Sequence, residues 1–362
     1  MKFRFWSLLF TVFLLTIFYV NEVDAQEDIE LPEFKGKSFS FQELAGKNDD
    51  GSHGIGEQKG VTRRDPSDVL KVGETYYVWY SKVIHAEVDE KEQRLKHSGY
   101  VATIWYAISK DEGHTWKEQG EALGVGRKGS FDAQAVFTPN ILEYKNKYYL
   151  YYTGVKHTPG LDHFENNSTN DFTNIGLAVA DSPGGPFRRV KSNPILPYNP
   201  DGISFDSYRV DDASLLVRND KIWLYYKGRN LADGRSGPAQ TKMGVAFADK
   251  PEGPYKKYEG NPILDKSHEV FIWAHREGVA AYASLSKTLE YAPNGLDFAT
   301  GKAGIKTLPK PNAPGAYRRE LTERLEKGPG VEWGISMRHG PNPYLVRWAC
   351  DLSVPISDQS EK

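Results

Sequence analysis

Hydrophobic and polar positions alternate along most of the chain in short aromatic-rich runs, the period-two pattern of half-buried strands, and the runs recur as hairpins. Asp65-Pro-Ser-Asp-Val-Leu-Lys-Val-Gly73 leads into Tyr76-Tyr-Val-Trp-Tyr80. Thr138, with a turn at Asn146, leads into Tyr148-Tyr-Leu-Tyr-Tyr152. Asp212, with a turn at Asp220, leads into Ile222-Trp-Leu-Tyr-Tyr226. Glu269, with a turn at Glu277-Gly278, leads into Val279-Ala-Ala-Tyr282. A weaker fifth copy runs from Glu332 to Gly340, with Tyr344-Leu-Val-Arg-Trp348 after it. In each, the turn falls 8 positions after the polar start. An array of this kind predicts an all-β fold, a five-bladed β-propeller, in which equivalent positions of all blades face the mouth of one central channel. Three acids, Asp65, Asp212 and Glu269, hold that position.

Outer hairpins recur between these. Trp105-Tyr-Ala-Ile-Ser-Lys-Asp111 is one; Gly176-Leu-Ala-Val-Ala-Asp181 and Gly244-Val-Ala-Phe-Ala-Asp249 each run into a Pro-x-Gly-Pro-aromatic turn. Proline fixes φ and glycine accepts φ > 0, so these turns mark repeats rather than chemistry. One helical candidate stands out, Ala316–Leu325, with Leu321 and Leu325 four apart; it is short and charged, and reads as a surface insertion.

Four segments follow. Residues 1–25 read as a signal peptide: Lys2 and Arg4, an apolar stretch from Trp6 to Val20, and a cleavage site at Val23-Asp-Ala25. That stretch is too short to favour a membrane span. Residues 26–62 read as a loose polar arm, 63–352 as the catalytic propeller, and 353–362 as a polar tail. Cys350 is the only cysteine among 362 residues, so no disulfide forms within the chain. A periplasmic or secreted bacterial protein is the expectation. The net charge of −2 gives no basic stripe for nucleic acid. With 8 Trp and 21 Tyr, the chain also suits sugars, whose rings stack on aromatic faces.

Each acid has a bland reading beside a chemical one. Asp65, in Arg63-Arg64-Asp65-Pro66, would cap a turn, but a neighbouring guanidinium also keeps a carboxylate ionised, as a general base requires. Asp211 and Asp212 precede an apolar strand and are costly to bury unpaired. Glu269 follows His268 at the head of another, and either could donate a proton: the histidine at its ordinary pKa, the glutamate if its neighbours raise it. Converging carboxylates plus a proton donor are what glycoside hydrolysis needs. Rival nucleophile signatures, Gly-x-Ser-x-Gly and His-Glu-x-x-His, do not occur.

Several motifs together carry a family likeness. They are Arg63-Arg-Asp-Pro-Ser with Leu70-Lys-Val72, Trp105 with Ala107-Ile-Ser-Lys-Asp111, and Phe131-Asp132 with Ala135-Val-Phe-Thr-Pro139. Ser204-Phe-Asp-Ser207, the Asp212 strand, Tyr225-Tyr-Lys-Gly228 and Ser267-His-Glu-Val270 complete the set. From Arg63 to Gly301 the chain resembles glycoside hydrolase family 117, the exo-acting α-1,3-(3,6-anhydro-L-galactosidase) or neoagarooligosaccharide hydrolase group, as a divergent member. That resemblance implies a five-bladed propeller laid out like family 43. Asp65 then looks like the general base, Asp212 like the acid that orients substrate and tunes its neighbours, and His268 with Glu269 like the acid region. Arg64, Trp105, Thr138, Asp211 and Lys227 look like substrate-binding positions.

Departures from the pattern touch the pocket. Active members read His-Asp-Pro at Asp211-Asp212-Ala213, Thr-Pro-Glu at Thr138-Pro139-Asn140, and Gln at Thr153, and the family's N-terminal helix pair for dimerisation is not visible in residues 26–60. The expected partner is a red-algal galactan oligosaccharide, cut at a terminal anhydrogalactose or related unit with inversion. Alternatives are a family 43-like glycosidase on an arabinoside or xyloside, or a non-catalytic carbohydrate-binding propeller. No cofactor is required; clustered acids would attract a divalent cation into the channel, although no ligand spacing argues for one. Oligomeric state is left open, a dimer among the options.

Overall fold

The computed structural model describes residues 34, 38–87, 101–156, 172–298, 310–323, 325 and 327–355. These belong to one compact unit spanning Glu33–Lys362. The expected signal peptide and the tail beyond residue 355 lie outside the described residues. Among the described residues no helix is long and apolar enough to cross a membrane.

The fold is nearly all β, and its strands form five consecutive antiparallel groups. In the first, Val61–Arg64 and Leu70–Val72 pair with Thr75–Ile84, followed by Thr103–Ser109 and Lys117–Leu123. The second is Ala135–Tyr144, Lys147–Val155, Thr173–Ala180 and Arg188–Arg189. The third repeats this as Arg209–Arg218, Lys221–Arg229, Lys242–Ala248 and Lys256–Lys257. Phe271–Arg276, Gly278–Ala283 and Thr288–Ala292 make the fourth. The fifth runs Asn312–Ala316, Gly328–Arg338 and Tyr344–Ser353, and its outermost strand is Phe39–Glu43 from the other end of the chain. Single edge pairings join the second group to the third and the fourth to the fifth.

Aromatic density makes the second strand of each of the first three groups a core strand. Trp79, Tyr80, Tyr151, Tyr152, Tyr225 and Tyr226 have no solvent exposure. Buried phenols need partners, and three repeats supply them alike. Tyr152 Oη donates to Asp132 at 2.9 Å, and Arg189 balances that carboxylate at 2.6 Å. Tyr226 Oη donates to Asp206 at 2.9 Å, balanced by Lys257 at 2.6 Å. Tyr80 Oη donates to Glu118 at 2.6 Å, balanced by Arg63 and Lys82. Asp132 and Asp206, two residues that carry the family likeness, are therefore locks within the repeats. The paired Pro-Gly turns are equally structural: Gly185 and Gly253 take φ of 93° and 82°, which glycine alone adopts readily.

Four first strands bear the same backbone feature at their heads. Asp65, Thr138, Asp212 and Ala313 sit at φ of 49°, 42°, 51° and 42°, a left-handed conformation that is uncommon outside glycine and rarest for a β-branched residue such as Thr138. In the last three the pairing slips at this point, a bulge that re-aims the side chain.

Three expectations change. The fifth repeat does not begin at Glu332, which is exposed within Gly328–Arg338; its register position is Ala313, on Asn312–Ala316. The helical candidate at 316–325 is instead the end of that strand followed by a single 3-10 turn, Arg319–Leu321. A surface helix would expose Arg318, whereas this guanidinium is fully buried. The polar arm is not loose throughout, because Phe39–Glu43 alternates well enough to pair along Tyr344–Ser353.

Candidate active site

The heads of the five first strands meet. Asp65, Thr138, Asp212, Glu269 and Ala313, one from each group, line a single inner recess of ≈ 40 Å³. It opens into a cleft of ≈ 290 Å³, near the lower end of ligand pockets, which is lined further by Arg64, Asp211, Lys227 and His268. Eight of the nine residues singled out from the sequence are brought together here. Trp105 is not: it lies on the third strand of its group, half-buried under Lys82, whose Nζ is 3.5 Å from the ring centroid.

Glu269 is held differently from the bulged residues. Ser284 Oγ accepts from both the His268 and Glu269 backbone N–H groups, at 3.0 and 2.9 Å, and Ser267 Oγ donates to the Glu269 carbonyl at 2.6 Å. Asp65 accepts from Arg64 Nε at 2.8 Å. Lys227 lies among the other acids, 2.5 Å from Asp212 Oδ2 and 3.2 Å from Asp211 Oδ1, with Arg209 3.4 Å from Asp211 on the far side.

Charge in this crowd is unevenly distributed. Burial pushes Glu269 above the usual carboxylate range, with Asp65 and Asp211 adding to it against Lys227 and Arg64. Asp212 is raised too, by burial and by Asp211 and Glu269. Lys227 opposes the rise in both acids and touches Asp212, so the two raised carboxyls compete for a proton near neutrality. Burial works against the charge on Lys227, but Asp211, Asp212 and Glu269 outweigh it and raise its pKa.

His268 goes the other way. Lys227 and then burial push it down to about 3, against Asp211. Its Nδ1 is 3.0 Å from the Pro238 carbonyl, an acceptor only, so Nδ1 carries the proton and Nε2 is left with a lone pair. A neutral imidazole in that tautomer has no proton to give from Nε2.

Beneath the recess the five groups are tied through one side chain. Arg318 donates to Asp68 at 2.9 Å, to Glu320 at 2.8 Å and to the Leu215 carbonyl at 2.9 Å. Asp68 also accepts from Ala316 N at 3.0 Å and from Asn140 Nδ2 at 3.2 Å, and Glu320 accepts from Ala274 N at 3.0 Å. A guanidinium thus already supplies the positive charge that Asp68 faces. A divalent cation does not fit there, and among the described residues no group of three or more His, Cys, Asp or Glu could hold one. Asn140 explains one departure from the family pattern: its amide donates to Asp68 and to the Ala213 carbonyl at 2.9 Å, which a glutamate could not do. At another departure, Thr138 and Thr153 share a hydroxyl–hydroxyl bond.

Sequence reasoning missed Arg229, Thr241 and His339 in the cleft. Arg209, three residues before Asp212 on the same strand, was legible as a partner for the Asp211-Asp212 pair and lies against Asp211; His339 sits in a turn that no pattern marks.

Comparison with known proteins agrees with this fold. The model of glycosyl hydrolases family 43 matches residues 60–232. Zg3597, a family 117 glycoside hydrolase from the marine bacterium Zobellia galactanivorans, is 28% identical, with a TM-score of 0.72 over 88% of this chain and 91% of that one. A thermostable family 43 glycoside hydrolase shares the fold at 15% identity and a TM-score of 0.53, over 81% and 89% of the two chains. A family 43 enzyme from Xanthomonas citri complexed with xylotriose does so at 14% and 0.51, over 83% and 90%. No curated protein matches the chain. The resemblance to family 117 is thereby borne out, and the protein is a glycoside hydrolase of the propeller type that families 43 and 117 share.

Proposed function

We propose that the protein is an exo-acting, inverting hydrolase that removes a terminal α-1,3-linked 3,6-anhydro-L-galactose or related unit from red-algal galactan oligosaccharides. The observation that carries this reading is the meeting of Asp65, Asp212 and Glu269 in one recess. Asp65, paired to Arg64, takes a proton from the attacking water. Asp212, set on its bulge and neutralised by Lys227, orients the sugar. Glu269, whose carboxyl burial raises above the usual range, protonates the leaving oxygen. His268 supports the sugar as a neutral acceptor through Nε2 rather than acting as the acid. Acid and base both come from the chain, and no cofactor enters.

The same reading takes the five strand groups as blades of one propeller, closed where Phe39–Glu43 pairs with Tyr344–Ser353. It places the protein in the periplasm or outside the cell after signal removal, in agar breakdown. The family 43 match to residues 60–232 favours one second reading, an arabinoside or xyloside as substrate.

A panel of neoagarobiose, porphyran oligosaccharides and aryl arabinosides and xylosides separates the two, with products identified by chromatography. Release of anhydrogalactose or a galactose unit is expected. Release of arabinose or xylose alone would move the assignment to the second reading.

A further inference from the structure

Glu269 is the one residue that lines all three of the connected spaces at this end of the molecule: the inner recess, the cleft, and a side lobe of ≈ 350 Å³. Asp65 and Asp212 line only the first two. A proton donor to a glycosidic oxygen stands at the boundary between the sugar attacked and the unit released. If the attacked sugar lies over Asp65 and Asp212, the released unit lies on the other side of Glu269, in the lobe formed by Ala239, Ser284, Leu285, Lys310 and Pro311.

The charge of that lobe is distinctive. Apart from Glu269 and the neutral His268, its only ionisable side chain among the described residues is Lys310. Lys310 Nζ donates to the Ser284 carbonyl at 2.9 Å, which fixes the ammonium at the lobe and leaves two donors over. Lys287 stands close enough to Lys310 to lower its pKa, after burial. Neither lysine makes an ion pair among the described residues. The one acid on the lobe wall is Glu269, which acts on Lys310 against Lys287; when Glu269 carries its proton, the ammonium and its two spare donors face the lobe unopposed, as an anion site requires.

We infer that this lobe binds the released sugar unit and that it selects, through Lys310, a unit carrying an anionic substituent, a sulfate ester or a carboxylate. This rests on the glycosidase reading for the word "released", but the anion preference can be measured without turnover.

Calorimetry of the full mature chain with galactose, galactose 6-sulfate and galacturonate as probes tests it. At least one charged sugar should bind about tenfold more tightly than galactose, the size of one charge-assisted contact. Lys310→Ala should erase that difference and Lys310→Arg should keep it, with thermal unfolding unchanged in both. Which charged sugar wins distinguishes sulfate from carboxylate. Equal binding of all three, no binding of any, or a preference that survives in Lys310→Ala would overturn the inference. Failure of the glycosidase reading has its own signature: charged sugars bind as stated, yet no oligosaccharide is cleaved.

Discussion

Arg318 and Asp68 lie 250 residues apart in the chain and form a buried ion pair of 2.9 Å between the fifth strand group and the first. The same guanidinium reaches Leu215 of the third group, and through Glu320 it reaches Ala274 of the fourth. Breaking a buried pair by removing one partner typically costs about 3–5 kcal/mol, because the other charge is stranded. Arg318→Met is expected to lose about that much stability in a urea titration. Since the guanidinium supplies the central positive charge, chelation with EDTA should leave both stability and turnover unchanged.

Asn140 tests how the family pattern was altered. Asn140→Asp keeps the shape but loses the two donated bonds and sets a second carboxylate against Asp68. A destabilisation of about 1–3 kcal/mol is expected at pH 8, and it should shrink at pH 4, where the new carboxyl takes a proton. A loss independent of pH would mean that charge is not the cause.

His268 sets a stability limit on the acid side. Its folded pKa is depressed to about 3, below the unfolded value near 6.5. Folding therefore favours the neutral ring, and the associated stability is present above pH 6.5 and is lost as pH falls toward 3. His268→Gln should be relatively more stable than wild type at pH 5, by about 2 kcal/mol on the linkage relation, than at pH 8. Denaturant midpoints at the two pH values give the comparison.

Glu269 acts with the opposite sign. Its folded pKa is raised, so its contribution to stability is full below the unfolded value and is lost as pH rises through the folded one. Glu269→Gln should gain stability over wild type on the alkaline side. Turnover of the wild type should fall as pH climbs through the same range, since the acid form of Glu269 is spent.

Much of this was readable in the chain. The aromatic hairpins gave the first four strand groups, because burial of Tyr80, Tyr152 and Tyr226 follows from the alternation itself. Asp65, Thr138, Asp212 and Glu269 were legible as equivalent positions, and they do share one recess. The fifth group was not, because its first strand, Asn-Ala-Pro-Gly-Ala, carries neither an acid nor a hydrophobic run. The charged stretch after it imitated a surface helix, since no local pattern discloses that Arg318 is drawn inward by an aspartate at the other end of the chain. Nor could spacing rank His268 against Glu269: that depends on Lys227 and the Pro238 carbonyl, both far off in sequence. Trp105 was misled by residue type, as its ring is occupied by Lys82.

The most direct test of the account measures kcat/KM against leaving-group ability. A dinitrophenyl glycoside departs without protonation, whereas a sugar alcohol needs it. Glu269→Gln should cleave the activated aryl glycoside of the terminal sugar within about tenfold of wild type, and lose about 10²–10⁴-fold on the oligosaccharide. His268→Gln should lose similar factors on both. An equal loss on both substrates for Glu269→Gln, or the selective loss appearing in His268→Gln, would contradict the assignment of Glu269 as the proton donor.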